Sequence, residues 1–393
     1  MNVLVVSEPG VDGVFRYVET LCHFLIDQGV RTHLAYSDRR SSDRLPVLVA
    51  LIEERGGRTV NLRTGNRPAL SDWGALRSLH RLARAVRPEV IHSHSSKAGA
   101  LARMLPLLGV KAAQIYNPHA YWGMKPNRGR LDFIYNEAER IFGRIGHTIV
   151  LSHGERSFAL GCLRLPPSRV RLMQNGIDTD LFSPAPSKEK LRLREALGLP
   201  PREPILGFIG RSSSQKDPAT LYRAFARAAA ARPINLFHVG HGDLDSELEQ
   251  IVRDSGLGSR VFRRAYMSTP VDFYRAVDGF ILTSRYEGLS LAALEAMSCD
   301  LPMILSEAPG NRDLLELSLS HARGAQPGDI DGFARAIVAW HDQLREASPI
   351  NHRQIARSQF EIREKLADVL EWYRELAPDA ALRSQFRIGF PPP

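Results

Sequence analysis

Short apolar runs of β character alternate along the whole chain with longer segments of helical spacing. This alternation constrains the fold more than any other feature. Strand, helix, strand in repetition specifies βαβ units, and therefore parallel sheets with helices packed on them. In the first half the predicted strands are Val3–Ser7, Thr32–Tyr36, Thr59–Leu62, Val90–His94, Ala112–Asn117, Thr148–Ser152 and Val170–Gln174. In the second half they are Ile205–Gly210, Asn235–Val239, Arg260–Arg263, Gly279–Thr283 and Met303–Ser306. Helical spacing marks Val14–Ile26, Leu70–Val86, Ala219–Ala231 and Leu244–Ser255.

At 393 residues the chain is long for one core, and the sequence breaks near 175–200. Asn175-Gly176 is a turn dipeptide, and Phe182-Ser-Pro-Ala-Pro-Ser187 reads as a linker. Leu193–Leu197 reads as a short helix ended by Gly198 and Pro200-Pro201, before a new strand after Pro204. Two doubly wound domains with a cleft between them follow, assigned to 1–185 and 186–360. An amphipathic helix with Trp372 and Tyr373 lies in 361–380, and 381–393, ending in three prolines, is expected to be a flexible tail. No apolar run reaches the roughly 18 residues that span a bilayer. Met1-Asn-Val-Leu-Val-Val6 lacks the basic start of a signal peptide and reads as a strand. Cys22, Cys162 and Cys299 are widely separated, which fits a reducing, cytoplasmic setting rather than a disulfide framework.

The charge is unevenly spread. Residues 1–185 carry 25 Lys and Arg against 16 Asp and Glu, which accounts for the whole net charge of +9. An Arg-rich solvated surface is one reading; attraction to anionic lipid or to a phosphate-bearing substrate is the other. Nucleic acid is disfavoured, because the arginines are not interleaved with stacking aromatics. Leu76–Val86, with Arg77, Arg81 and Arg84 at helical spacing, is a candidate interfacial helix.

The chemistry concentrates in the second half. Ser284-Arg-Tyr-Glu-Gly-Leu-Ser-Leu-Ala-Ala-Leu-Glu295 places Glu287 in a turn and Glu295 on a helix, directly after a predicted strand. The amides of Gly288, Leu289, Ser290 and Leu291 at the helix start would face an anion between the two carboxylates. An anion flanked by two hydroxyl-binding carboxylates describes a nucleotide sugar, although ordinary surface glutamates fit the segment equally when it is taken alone. No third acidic or His residue stands nearby at metal-ligand spacing. In Phe208-Ile-Gly-Arg-Ser-Ser-Ser-Gln-Lys-Asp217, Gly210 permits close backbone approach, Arg211 can fork two phosphate oxygens and Lys216 adds a point charge. Two solvated loop cations remain the other reading. Val239-Gly-His-Gly-Asp243 is a further strand-end glycine turn, weak by itself.

Together, Gly-Arg-x4-Lys, the strand-end Gly-x-Gly and Glu-x7-Glu resemble, in order and spacing, the carboxyl-terminal domain of glycosyltransferase family 4, retaining transferases of the GT-B fold. Asn175-Gly-Ile-Asp178 with Phe182 and Pro184 resembles that family's inter-domain segment. Ile91-His-Ser-His-Ser-Ser-Lys-Ala-Gly99 and Asn117-Pro-His-Ala-Tyr121 resemble its bacterial polysaccharide-assembly members. The resemblance covers roughly residues 1–375 and implies two Rossmann-like domains facing a central cleft, with a C-terminal helix crossing back.

By position, the resemblance implies that Arg211 and Lys216 hold a donor diphosphate, Glu295 the ribose and Glu287 the donor sugar. Gly288 to Leu291 would offer amides, Gly240, Ala265 and Tyr266 would lie near the nucleobase, and His119 would face the donor sugar across the cleft. Gly10 and Gly13 fall in the amino-terminal glycine loop, where Asp12 replaces a family glycine. Ser298-Cys-Asp-Leu-Pro302 and Pro309-Gly-Asn311 also depart from the pattern. The expected function is metal-independent transfer from a nucleotide sugar, UDP favoured, with no cofactor. The expected acceptor is a lipid-linked or other anionic saccharide, reached from the cytoplasm, with peripheral contact to an anionic membrane. A soluble transferase for a small phosphorylated acceptor and a silent GT-B-like scaffold are the alternatives.

Overall fold

In the computed structural model, residues 1–65, 68–125, 129–344 and 349–377 are described, without the side chains of Arg130 and Leu131. The expected tail 381–393 lies outside them. The first sheet contains β1 (Asn2–Ser7), β2 (Arg31–Tyr36), β3 (Thr59–Asn61), β4 (Val90–His94), β5 (Ala113–Asn117), β6 (His147–Val150) and β7 (Val170–Leu172). The second contains β8 (Ile205–Ile209), β9 (Asn235–Val239), β10 (Val261–Arg264), β11 (Gly279–Leu282), β12 (Met303–Ser306) and β13 (Ala322–Ala325). The strand orders are β3-β2-β1-β4-β5-β6-β7 and β10-β9-β8-β11-β12-β13, and every pairing is parallel.

Central parallel strands are buried on both faces, so they read as continuous apolar runs; Val3, Leu4, Val5 and Val6 are all fully buried. Their alternation divides the core. Val3, Val5 and Val90 pack with Val18, Leu21, Cys22 and Leu25 of the Asp12–Asp27 helix on one face. Leu4, Val6 and Ile91 pack on the other face with Leu76, Leu79 and Ala83 of the Asp72–Val86 helix and Leu101 of the Ser96–Met104 helix.

The structure corrects several expectations. β6 ends at Val150, because the Leu151 amide turns to the Glu155 carboxylate and Ser152 caps the next helix. β10 and β11 shift or shorten by a residue, and β13, an edge strand made by pairing with β12, carries no apolar pattern in Ala322-Arg-Gly-Ala325. The helix expected over 193–197 begins at Ser187, and Phe182 is a packed side chain rather than part of a free linker. The Asp72–Val86 helix is not an inserting interfacial helix. Its apolar side, Leu76, Leu79, Leu82, Ala83 and Val86, is committed to the core, while Arg77, Arg81 and Arg84 face outward along with Trp73 in its first turn.

The last helix, Ile362–Leu376, returns to the first sheet. At its start the Ile177 amide of the linker donates a hydrogen bond to the Phe360 carbonyl, 2.7 Å, and the Ile177 carbonyl accepts from the Ile362 amide, 3.0 Å. Leu366, Val369, Leu370 and Tyr373 are then buried in a core continuous with both domains. Tyr373 Oη lies 2.5 Å from His92 Nδ1 of β4, and Arg171 pairs with Glu375 at 2.8 Å. Among the described residues no helix is long and apolar enough to cross a membrane.

Candidate functional site

In each sheet the strand order reverses once, between β1 and β4 and between β8 and β11. Ligands of open α/β sheets bind beyond the carboxyl ends of strands at such reversals. Here the two reversals face one another across a cavity of about 390 Å³. The first domain contributes Asp12, Gly13 and Arg16 after β1, Ser95 after β4, His119 after β5 and Leu151 after β6. The second contributes Gly210, Arg211, Gln215 and Lys216 after β8, and Glu287 to Ala292 with Glu295 after β11. The volume suits a small organic ligand.

The loops of the second domain are stitched together. Thr283 Oγ1 donates to the carbonyls of Lys216, 3.1 Å, and Asp217, 2.9 Å, and the Arg285 amide donates to the Gln215 carbonyl, 2.8 Å. Asp217 caps the Pro218–Ala231 helix and also takes Arg285 Nε at 3.0 Å. This holds Lys216 beside Glu287, at 2.6 Å, with both side chains largely buried. The helix Leu291–Ser298 starts at the cavity, with Ser290 as its cap, so its first amides point into the site. Gly240, at φ +146°, lets the end of β9 press on Gly210: a Cβ there would lie 1.9 Å from the Gly210 carbonyl oxygen.

Ion pairs cross the cleft. Glu295, fully buried, pairs with Arg16 of the first domain and accepts from Tyr274 Oη at 2.5 Å. Asp12 pairs with Arg211 at 3.3 Å, both side chains half exposed. Each cation or carboxylate of the second-domain site thus already has a partner of opposite charge.

His119 is held in an unusual turn: it and Ala120 have φ of +53° and +84°, a region that disfavours residues with a Cβ. The buried carboxylate of Glu155 accepts from the Ala120 amide, 2.8 Å, and from the Leu151 amide, 2.6 Å. Burial pushes the Glu155 carboxyl up to about 7, against the opposing pull of those two hydrogen bonds. His119 Nε2 lies 3.1 Å from His94 Nδ1, and burial lowers His119 to about 3, so the ring is neutral near pH 7. At that value the ring is a weak base, and with one nitrogen engaged it can orient a ligand. Across the cleft Gly288 abuts this turn; a Cβ there would meet the Ala120 nitrogen at 3.0 Å.

Of the residues singled out in the sequence, His119, Gly13, Gly210, Arg211, Lys216, Glu287, Gly288, Leu289, Ser290, Leu291 and Glu295 line the one cavity. Gly240 lies just behind it against Gly210, whereas Ala265 and Tyr266 follow the edge strand β10 and are exposed outside it. Sequence reasoning did not assign Arg16, Ser95, Gln215, Tyr274 or Glu155 to the site. Only Arg16 carried a signal, its three-residue spacing from Gly13. The sequence also holds two Asp-x-Asp pairs, Asp178/Asp180 and Asp243/Asp245, which read as turn or cap residues: Asp178 accepts from the Asp180 and Leu181 amides, and Asp245 from the Gly242 amide and from Arg263 at 2.6 Å. Among the described residues no group of three or more His, Cys, Asp or Glu is placed to hold a metal.

Comparison with known proteins agrees with this architecture. The family profile Glycosyltransferase Family 4 matches residues 11–181, and Glycosyl transferases group 1 matches residues 203–343. The UDP-Gal:alpha-D-GlcNAc-diphosphoundecaprenol alpha-1,3-galactosyltransferase of Escherichia coli is 29% identical over 278 residues, 68% of this chain and 70% of that protein. The D-inositol 3-phosphate glycosyltransferase of Mycobacterium marinum is 28% identical over 281 residues, 67% of this chain but 55% of that protein. Anabaena HepE in complex with UDP and glucose superposes with a TM-score of 0.79 at 18% identity, covering 95% of this chain and all of that one. Sucrose-phosphate synthase of Thermosynechococcus elongatus superposes with a TM-score of 0.77 at 21% identity, covering 96% and 99%. The chain is a glycosyltransferase of family 4, with the GT-B fold.

Proposed function

We propose that the protein transfers a sugar, with retention of anomeric configuration and without a metal ion, from a UDP-sugar to a hydroxyl of a lipid-linked anionic saccharide. One observation carries this reading: both strand-order reversals converge on a cavity holding Arg211, Lys216, a helix start and the carboxylates Glu287 and Glu295. Arg211, Lys216 and the amides of Gly288 to Leu291 bind the diphosphate and stabilise the charge that grows on it as it leaves. Glu295 takes the ribose hydroxyls, in exchange for Arg16. Glu287 and His119 orient the donor sugar from opposite sides, and Gly240, Ala265 and Tyr266 lie toward the base. The bond from the anomeric carbon to the phosphate oxygen breaks as the acceptor oxygen adds on the same face. The acceptor proton passes to the departing phosphate oxygen, so no protein base is needed, in keeping with the lowered basicity of His119.

The activity of the Escherichia coli relative, galactose transfer from UDP to a diphosphoundecaprenol-linked sugar, supports the UDP donor and the lipid-linked acceptor. The inositol 3-phosphate relatives support a second reading, a small phosphorylated acceptor. The test is calorimetry with UDP, GDP and ADP, followed by transfer assays with lipid-linked and water-soluble acceptors in EDTA, the product anomer being read by NMR. Tight UDP binding and EDTA-insensitive, retaining transfer to the lipid-linked acceptor are expected. No nucleotide binding, or an inverted product, sinks the reading; transfer to soluble acceptors alone moves it to the second.

A further inference from the structure

The carboxyl end of β4 carries two histidines, His92 and His94, that are fully buried, and neither lines the cavity. Alternation along the strand turns both toward the face covered by the 12–27 helix and the returning C-terminal helix. Their rings stack with centroids 4.0 Å apart. His92 Nδ1 meets Tyr373 Oη, and His94 Nδ1 meets Nε2 of His119, which does line the cavity. Tyr17 closes the group, its ring centroid 5.5 Å from that of His94 and 5.2 Å from that of His119. Burying an imidazole this deeply is costly, and His94 Nε2 has no hydrogen-bond partner among the described residues. An apolar side chain would fill the same space without that cost, so the residue type at 94 needs a reason beyond packing.

The contact with His119 supplies it. Burial lowers the basicity of all three rings, the neighbouring histidines lower His92 and His94 further, and no carboxylate acts against this. Two neutral imidazoles sharing one N···N contact divide the roles, one donating and the other accepting. If His119 donated, His94 would carry its proton on Nε2, a buried N–H with nothing to accept it. If His94 donates from Nδ1, its Nε2 is a bare lone pair, and orphaned buried N–H groups are the rarer kind. His92 shows the same pattern, with Nδ1 engaged and Nε2 buried and unpartnered. His119 then accepts at Nε2 and carries its proton on Nδ1.

We propose that His94 is a positioning residue for the transfer reaction: by donating its Nδ1–H to His119 Nε2, it fixes His119 as a hydrogen-bond donor, through Nδ1, toward an oxygen of the donor sugar. This rests on the donor-sugar role proposed for His119 above. The same bond fixes the ring's orientation. His119 sits at φ +53°, where backbone preference works against it, and the Glu155 carboxylate holds only the next amide, that of Ala120. His94 holds the side chain.

The test has two arms. In the native full chain, nitrogen NMR of isotope-labelled histidine reads the tautomer, because protonated and bare ring nitrogens resonate far apart. His119, assigned by the loss of its signals in His119→Asn, should be protonated at Nδ1 and bare at Nε2. The second arm is kinetics with whichever of UDP-galactose and UDP-glucose the native protein turns over faster. His94→Leu removes the donor and leaves the core apolar; His94→Asn keeps an N–H near the place of Nδ1. His94→Leu should lower kcat about 10-fold, the worth of one hydrogen bond, with bare UDP affinity unchanged and thermal unfolding unchanged or raised. His94→Asn should recover most of that loss. His119 protonated at Nε2, native turnover in His94→Leu, an Asn variant no better than Leu, or UDP affinity falling in step with turnover would each overturn the inference. A native protein that binds no UDP and transfers no sugar removes the transferase reading instead, while the tautomer still decides whether His94 sets His119.

Discussion

Asp12 stands where the resemblance to the family implies a glycine, and its geometry in the structure says what a change there should do. Asp12 adopts φ +66° and its carboxylate lies 3.3 Å from the guanidinium of Arg211, the proposed diphosphate ligand. A bound diphosphate would have to displace this carboxylate and then sit beside it. For a carboxylate and a phosphate about 6 Å apart, repulsion is about 0.7 kcal/mol per charge in a water-like dielectric and rises several-fold at a protein-like one. The side chains are 43% and 50% exposed, so the lower value governs. Breaking the exposed Asp12–Arg211 pair adds about 0.2–1 kcal/mol. Asp12→Gly and Asp12→Asn should therefore bind UDP more tightly by about 1–2 kcal/mol, or roughly 5–30-fold. Stability should hardly change in the glycine variant. Relief of the left-handed conformation, about 1 kcal/mol, is offset by loss of a favourable charge at the helix start. Isothermal calorimetry at low salt measures the affinity and thermal unfolding the stability. Unchanged UDP affinity in both variants would refute competition between Asp12 and the diphosphate for Arg211; weaker binding in both would mean that Asp12 contacts the donor itself.

Other outcomes follow from the same geometry. Glu295→Ala should weaken UDP binding at least about 10-fold and cost roughly 3 kcal/mol of stability, because Arg16 and Tyr274 lose their partner. Glu287→Ala should lower turnover with a smaller loss of bare UDP affinity; equal effects of the two changes, by calorimetry and initial rates, would contradict the assigned roles. Glu155 has its folded pKa raised to about 7 from 4.5, so its favourable term is full below pH 4.5 and is lost as pH rises through 7. The native protein should lose up to about 3 kcal/mol relative to Glu155→Gln between pH 4.5 and 8, and denaturant melts giving a pH-independent difference would exclude this. Gly288→Ala should push the loop off the Ala120 amide and cut turnover about 10-fold or more, with the fold retained by circular dichroism; normal kinetics would show that the close approach is dispensable.

The legible part of the site is the part written in consecutive residues. Gly210, Arg211 and Lys216 share one strand-to-helix loop, and Glu287 through Glu295 another, so pattern and spacing locate them. Ala265 and Tyr266 were placed by resemblance, and in the structure they stand exposed beyond an edge strand, outside the cavity. Glu155 was invisible because its work is done on the amides of Ala120 and Leu151, and a backbone partner leaves no mark in composition. The basic helix over 76–86 shows the same limit: its arginine spacing is plain in the sequence, but which side it buries depends on the sheet beneath it.

The sequence by itself determined the parallel βαβ architecture, because strands buried on both faces must be apolar without interruption and helices must repeat near every third or fourth residue. It also determined which loops carry cations and carboxylates. Tertiary structure alone decided that the two strand-order reversals face each other, that Arg16 reaches Glu295 and Asp12 reaches Arg211, and that the 130–142 helix keeps its apolar side outward. These depend on how two domains and a returning helix pack, on pairs of residues hundreds of positions apart. No local periodicity encodes such pairs.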